Sequence, residues 1–321
     1  MAVYTHVSAE EMAQFLTLYD AGELRVAKGI AEGVENSNYL IETTANRFIL
    51  TLYEKRVEEA DLPFFIALLD HLGAKGCKVP RFIADRKGVR LQQLAGRPAC
   101  LIEFLSGVSV TEPTPAQCRA AGEALGELHR AAADFRMERP NTLGPTGWRT
   151  LLADIGSGFD SIATGLGDKV HAAAAAIFSQ WPDKLATSII HADLFPDNVL
   201  SVGDAVTGLI DFYFACTDIR AYDLAVTHGS WCFSHDGSVF YPERAAALVA
   251  GYEAAHGLTD AERAALPILC QGAALRFLLT RAYDWINTPP DALVMRKDPL
   301  AYMRRLDTYR SLTPAELFGA A

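Results

Sequence analysis

The amino-acid sequence predicts an α+β protein of two lobes, a small antiparallel sheet first and a mainly helical region after it. Three observations lead there. The chain has 321 residues, about twice the roughly 150 expected of one domain. Its first hundred residues alternate short apolar, β-type segments with turn residues around one crossing helix. Beyond Thr111-Glu112-Pro113-Thr114-Pro115, a stretch that suits a hinge, Ala- and Leu-rich helical periodicity dominates. The expected division is therefore 1–105 and 106–321.

Ser8-Ala9-Glu10-Glu11 has the spacing of a capping box, and Met12, Phe15, Leu16 and Tyr19 follow at helical intervals. A short helix ends near Gly22. Leu24–Ile30, Tyr39–Thr43 and Phe48–Tyr53 read as three strands, the last two joined at Ala45-Asn46. The connection between the first two is the loop Ala31 to Ser37. Asp61 with Pro63 after it marks a helix start, and Leu62, Phe65, Ile66, Leu69 and Leu72 form one apolar stripe. Arg81–Asp85, Val89–Leu94 and Ala99–Leu105 are further short strands. In the second part helices are expected over Ala116–Ala133, Trp148–Ile162, Lys169–Gln180 and most of Ile219–Arg310. A strand pair, Val199–Val202 and Val206–Ile210, interrupts them, with Gly203-Asp204 at its turn.

Half of the residues are apolar and 21% are charged, which suits a globular protein with a sizeable core. Lys plus Arg number 29 against 39 Asp plus Glu, a net charge of −10. That balance argues against a nucleic-acid footprint or an anionic-lipid binder. It permits an anionic ligand, because cations and backbone N–H groups can cluster at one site. The N-terminus lacks the basic and apolar regions of a secretory signal, and Ala172–Phe178 is far too short to span a bilayer. Six cysteines lie singly, with no C-x-x-C pair, and read as buried free thiols in a reducing cytosol. The expected location is cytoplasmic.

The chemistry is carried by His191-Ala192-Asp193-Leu194-Phe195-Pro196-Asp197-Asn198, which precedes the strand pair, and Leu209-Ile210-Asp211-Phe212, which closes it. The pattern is H-x-D-x-x-x-x-N followed by an apolar strand ending in Asp. Phosphoryl transfer needs this kind of set, since it depends on positioning and charge neutralisation more than on covalent help. One carboxylate must face the attacking hydroxyl. A second carboxylate and an amide oxygen must hold magnesium, a hard cation that prefers oxygen.

With these residues, the chain resembles the aminoglycoside-phosphotransferase and choline-kinase branch of the protein-kinase-like fold, and within it the bacterial homoserine kinases. The likeness extends to Gly29–Tyr39, Phe48–Arg56, Leu62-Pro63-Phe64-Phe65, Gly208–Asp218, Ala273–Arg281 and Asp298-Pro299-Leu300, so it runs nearly end to end. It implies a bilobal fold and the ATP- and Mg2+-dependent phosphorylation of the L-homoserine hydroxyl, a step toward threonine. It makes Asp193 the catalytic base and Asn198 and Asp211 the magnesium ligands. Gly33, Val34, Asn36, Ser37 and Asn38 would cover the ATP phosphates. The segment Leu101–Leu105 would be the inter-lobe hinge, with Glu103 and Leu105 beside adenine. The competing expectations are another small alcohol acceptor (choline, an aminoglycoside, methylthioribose, hydroxylysine) or a nucleotide-binding protein without catalysis.

Two departures from the kinase pattern stand out. Thr51 occupies the place on the third strand where a phosphate-contacting lysine is expected, which leaves Lys28, Lys55 and Arg56 as candidate cations. Phe212-Tyr213 follows Asp211, so the glycine of a D-F-G triplet is missing. On the substrate side, homoserine requires an acid for its ammonium and a cation for its carboxylate. Asp218, on what looks like a helix start, is the candidate acid. Arg276 or Arg281, in the apolar helix pattern Leu275–Trp285, is the candidate cation. Asp223 and His129 read as structural hydrogen-bonding residues. The sequence leaves the oligomeric state undetermined.

Overall fold

The alternating pattern of the first hundred residues becomes a five-stranded antiparallel sheet flanked by two helices. The structure is a computed structural model that describes residues 5–30, 36–54, 57–288 and 296–319. Helix α1 (Ala9–Leu16) starts on the Ser8–Glu11 capping box. Strands β1 (Leu24–Gly29), β2 (Asn36–Thr43) and β3 (Arg47–Tyr53) follow, then helix α2 (Leu62–Ala74) and strands β4 (Gln92–Leu94) and β5 (Arg97–Glu103). Their order in the sheet is β1-β2-β3-β5-β4. The register pairs Ile41 with Phe48, Tyr39 with Leu50 and Leu50 with Leu101. Because side chains alternate across a strand, these residues share one face, where they pack on Met12, Phe15, Leu16 and Tyr19 of α1. The opposite face carries Asn38, Thr51 and Cys100, with Tyr53 beside Tyr213 and Tyr213 beside Phe65 of α2.

Two elements differ from the sequence reading here. Arg81–Asp85 forms no strand. It touches the sheet through a single bridge, Phe82 with Ile102, and through the Ile83 and Glu103 amides. The expected strand from Val89 shortens to Gln92–Leu94, because the Asp85 carboxylate gathers the amides of Lys87 and Val89 and the side chain of Gln92 into a turn.

Two units result: Met1–Gly107 with Thr207–Tyr213, and Val108–Val206 with Phe214–Ala321. The return of 207–213 to the first unit was not anticipated by a single boundary at 105/106. The second unit contains α3 (Pro115–Ala132), α4 (Pro145–Ile155) and α5 (Leu166–Gln180), then β6 (Thr187–Ile190) and the hairpin β7 (Val199–Val202) and β8 (Ala205–Leu209), whose end passes into the first unit. After β9 (Cys216–Ile219) come α6 (Arg220–Trp231), α7 (Pro242–Ala255), α8 (Asp260–Asn287), α9 (Leu300–Ser311) and α10 (Pro314–Phe318). The expected helix Trp148–Ile162 stops at Ile155 and continues as a 3-10 segment, Gly156–Ser161. The β6–β9 pair, with Ile190 opposite Cys216, was not foreseen. Strands of four residues with a long intervening chain leave little local signal.

Helix α6 is buried from Ala221 to Gly229 and forms the centre of the second unit. Against it, α3 and α7 cross so closely that a Cβ on Gly122 would collide with the Leu248 carbonyl. All six cysteines are free, and five are buried. Among the described residues, no helix is long and apolar enough to cross a membrane.

His228 on α6 is buried at 1% exposure. Its Nε2 donates to the Leu317 carbonyl of α10 at 3.0 Å, so Nδ1 can accept the Tyr309 hydroxyl at 2.8 Å. Burial pushes this imidazole down to about 4, which favours the neutral form. The unfolded chain therefore binds more protons than the folded one between the ordinary value and about 4, so stability is lost as pH is lowered through that window. Between pH 7 and pH 5 the wild type should lose about 2 kcal/mol more in urea unfolding than His228→Gln, which cannot titrate. Parallel pH profiles for the two proteins would show that His228 is not held neutral.

Candidate active site

β6 delivers the chain into His191–Asn198, a segment that side chains from α6 and α8 hold in place. Asp223 of α6 is fully buried and accepts two consecutive amides, His191 N–H at 2.6 Å and Ala192 N–H at 2.8 Å. His129 of α3 contacts the same carboxylate through Nε2 at 3.1 Å and the Tyr252 hydroxyl through Nδ1 at 2.9 Å. Burial by itself would raise the Asp223 carboxyl. The hydrogen bonds from His129 and the His191 amide outweigh it and hold the group below its ordinary value. Trp231 Nε1 donates to the Leu194 carbonyl at 2.9 Å. Arg276 of α8 donates through Nη1 to the Ala192 carbonyl. Ala192 needs this grip, because its φ of +63° lies in the left-handed region that costs a non-glycine residue roughly 1–2 kcal/mol.

Asp193 follows, partly buried, with its amide on His191 Nδ1 at 3.3 Å and its carbonyl accepting Phe195 N–H at 2.8 Å. Asn198 closes the loop: Nδ2 donates to the Asp193 carbonyl at 2.8 Å and lies 3.4 Å from Asp193 Oδ2. That orientation commits the amide nitrogen inward and leaves Oδ1, a hard oxygen, for a cation. Dehydration raises the Asp193 carboxyl to about 6, against the attraction of Arg276, Lys297 and Arg281 and with some repulsion from Asp197. A carboxylate in this state is close to the balance a general base requires near neutral pH.

The remaining expected residues are distributed as follows. Asp211 belongs to the first unit, just beyond β8. It is exposed with φ +64°. Gly33, Val34, Lys55 and Arg56 lie outside the described residues. Asn36, Ser37 and Asn38 are strand residues of β2 and not a loop, which corrects that expectation. Ser37 donates to Glu54 Oε1 at 2.7 Å, Asn36 Oδ1 accepts the Glu54 amide at 3.3 Å, and Asn38 Oδ1 accepts Thr51 Oγ1 at 2.7 Å. Their side chains are used in the sheet, with Asn36 and Ser37 at 3% and 0% exposure. Glu103 ends β5 with its amide on the Arg81 carbonyl, and Leu105 lies beyond. Asp218 is on strand β9 and not at a helix start. Its oxygens accept Asn141 Nδ2 at 2.6 Å and the Ile219 amide at 2.7 Å. Arg281 is less buried than Arg276, lies over the Tyr302 ring at 4.6 Å and donates to the Asp298 carbonyl at 3.2 Å. Lys297, a cation acting on Asp193 that sequence reasoning missed, comes from the connection into α9. No periodicity could have flagged it.

Residues 26–266 match the model of the phosphotransferase enzyme family. The chain belongs to that family. It is similar to a homoserine kinase from Methylobacterium radiotolerans, 54% identical over 319 residues and 99% of each chain. A homoserine kinase from Xanthobacter autotrophicus is 50% identical over 321 residues, the whole of both chains. Among solved structures, a spectinomycin phosphotransferase in complex with ADP and spectinomycin superimposes with a TM-score of 0.73 at 13% identity, covering 98% of this chain and 100% of that one. The fold is therefore the protein-kinase-like one, and the protein is a phosphotransferase enzyme that uses ATP.

In this phosphotransferase Thr51 is 2% exposed and bonded to Asn38, so β3 presents a neutral pair where a lysine was expected. Asp223→Asn should separate loop anchoring from chemistry. An amide can accept one of the two peptide N–H groups but offers N–H to the other, leaving a buried donor unpaired at a cost of about 1–3 kcal/mol. Urea unfolding should show a loss of that size, and initial-rate assays at a temperature where the variant is folded should show turnover down at least tenfold. Unchanged stability and rate would mean that the loop does not depend on this carboxylate.

Proposed function

We propose that the protein transfers the γ-phosphoryl group of ATP to the side-chain hydroxyl of L-homoserine, giving O-phospho-L-homoserine for threonine biosynthesis. The observation that carries this is the 50–54% identity, over essentially the full length, to homoserine kinases. Asp193 faces the acceptor hydroxyl and takes its proton as the oxygen attacks the γ-phosphorus. The bond from the γ-phosphorus to the β,γ-bridging oxygen breaks, and ADP leaves. Asn198, through Oδ1, and Asp211 hold magnesium, which neutralises the phosphate charges when bound. The hard oxygen left by the inward turn of the Asn198 amide supports that assignment. The Glu103 carbonyl and the Leu105 amide serve adenine. Arg281 receives the substrate carboxylate. The reaction runs in the cytoplasm, where six free thiols persist.

A coupled ADP-release assay tests the reading with L-homoserine, choline and spectinomycin as acceptors. Turnover should require homoserine; choline turning over while homoserine fails would overturn the choice. Asp193→Asn should lower kcat by about 10²–10⁴-fold, the range typical of a lost general base, while calorimetry should find the affinity for ATP within about threefold. Full turnover in that variant would remove Asp193 from the chemistry.

A further inference from the structure

We propose that Arg276 is a positioning residue for the transfer step, fixing the peptide beside the catalytic base, and that it does not bind the substrate carboxylate. The inference rests on the reading of Asp193 as base and homoserine as acceptor, and concerns a role the sequence pattern leaves open between Arg276 and Arg281.

Ala192 directly precedes Asp193 and holds a left-handed backbone, so the direction of the Asp193 side chain depends on how firmly that peptide is kept. Its amide is fixed by Asp223 Oδ1 at 2.8 Å, and its carbonyl by Arg276 Nη1. Removing either grip frees one end of the same unit. Arg276 is 2% exposed. Its guanidinium carbon lies 4.4 Å from the centre of the Phe277 ring and 5.5 Å from that of Phe214, so aromatic surface packs on the charge. Arg276 Nε has no hydrogen-bond partner among the described residues. That nitrogen is buried within the 2% exposed side chain, which closes it to a solvated anion. The charge also attracts the Asp193 carboxylate, more strongly than any other cation does. Arg281 is only partly buried and Lys297 is exposed, so an anion arriving from water meets them first.

Arg276→Met and Arg276→Lys test the assignment in the full-length protein, with steady-state kinetics against L-homoserine, ADP affinity by calorimetry and thermal unfolding. A misplacement of about 1 Å costs roughly 10²-fold in rate. Arg276→Met should therefore lose about 100-fold in kcat, with KM for homoserine and Kd for ADP within about threefold of wild type. Arg276→Lys keeps the charge and one donor without the planar fork and should recover about tenfold of that loss. It also keeps the test open if the methionine variant fails to fold. A rise of about 30-fold or more in KM for homoserine at unchanged kcat would assign Arg276 to the carboxylate and overturn the proposal. So would a lowered melting temperature with unchanged kcat per folded molecule, the mark of a purely structural residue. Failure of the functional reading is separate: it would appear as wild-type protein inert toward homoserine, or as full turnover in Asp193→Asn.

Discussion

The second unit is organised around one buried carboxylate. Asp223 accepts the amides of His191 and Ala192 from the centre of α6, and those two peptides set the start of the loop that carries Asp193 and Asn198. A buried negative charge is costly unless hydrogen bonds satisfy it, and here two peptide dipoles and His129 do so. The arrangement extends outward. Tyr252 of α7 bonds His129 and stacks on His256 at 5.9 Å. His256 meets Arg220 at 3.2 Å, and Arg220 forks onto Glu262, which also caps α8. Helices α3, α6, α7 and α8 are thus tied to one another by polar contacts that end at the His191–Asn198 segment.

That segment stores backbone conformations that its own residues would not choose. Ala192 takes a positive φ without being glycine, and so does Asp211 in the other unit. Such conformations persist where surroundings over-determine them and concentrate at functional sites. For Ala192 the surroundings are known: a carboxylate on one side of the peptide and a guanidinium on the other. The same guanidinium offsets part of the dehydration felt by Asp193, so geometry and charge at this position share one source.

The first unit solves a different problem. Around Thr51, the sheet face opposite α1 carries neutral polar side chains, with Thr51 bonded to Asn38 and the Tyr53 hydroxyl 3.2 Å from that of Tyr213. At the strand end Glu54 pairs with Arg97 at 3.3 Å and accepts Ser37. A lysine at position 51 would be buried among neutral partners. The strand instead buries a hydroxyl that its neighbour can satisfy.

Much of this was legible in the sequence, because the signals were local. The capping box at Ser8, the period-two pattern of β2 and β3 and the H-x-D-x-x-x-x-N spacing each depend on residues a few positions apart, and propensity, alternation and turn chemistry act at that range. The end-to-end likeness to a phosphotransferase family added the rest of the fold. Tertiary structure alone decided which polar residues were already engaged. Asn36 and Ser37 read as loop and became buried strand; Asp218 read as a helix start and became a β9 residue held by Asn141. Arg276 and Arg281 looked equivalent five positions apart on one helix, yet burial and the Ala192 carbonyl separate them. A hydrogen bond across 84 positions leaves no periodic trace in the chain. Only folding reveals whether a charge meets solvent or a peptide, and with it the role the side chain can take.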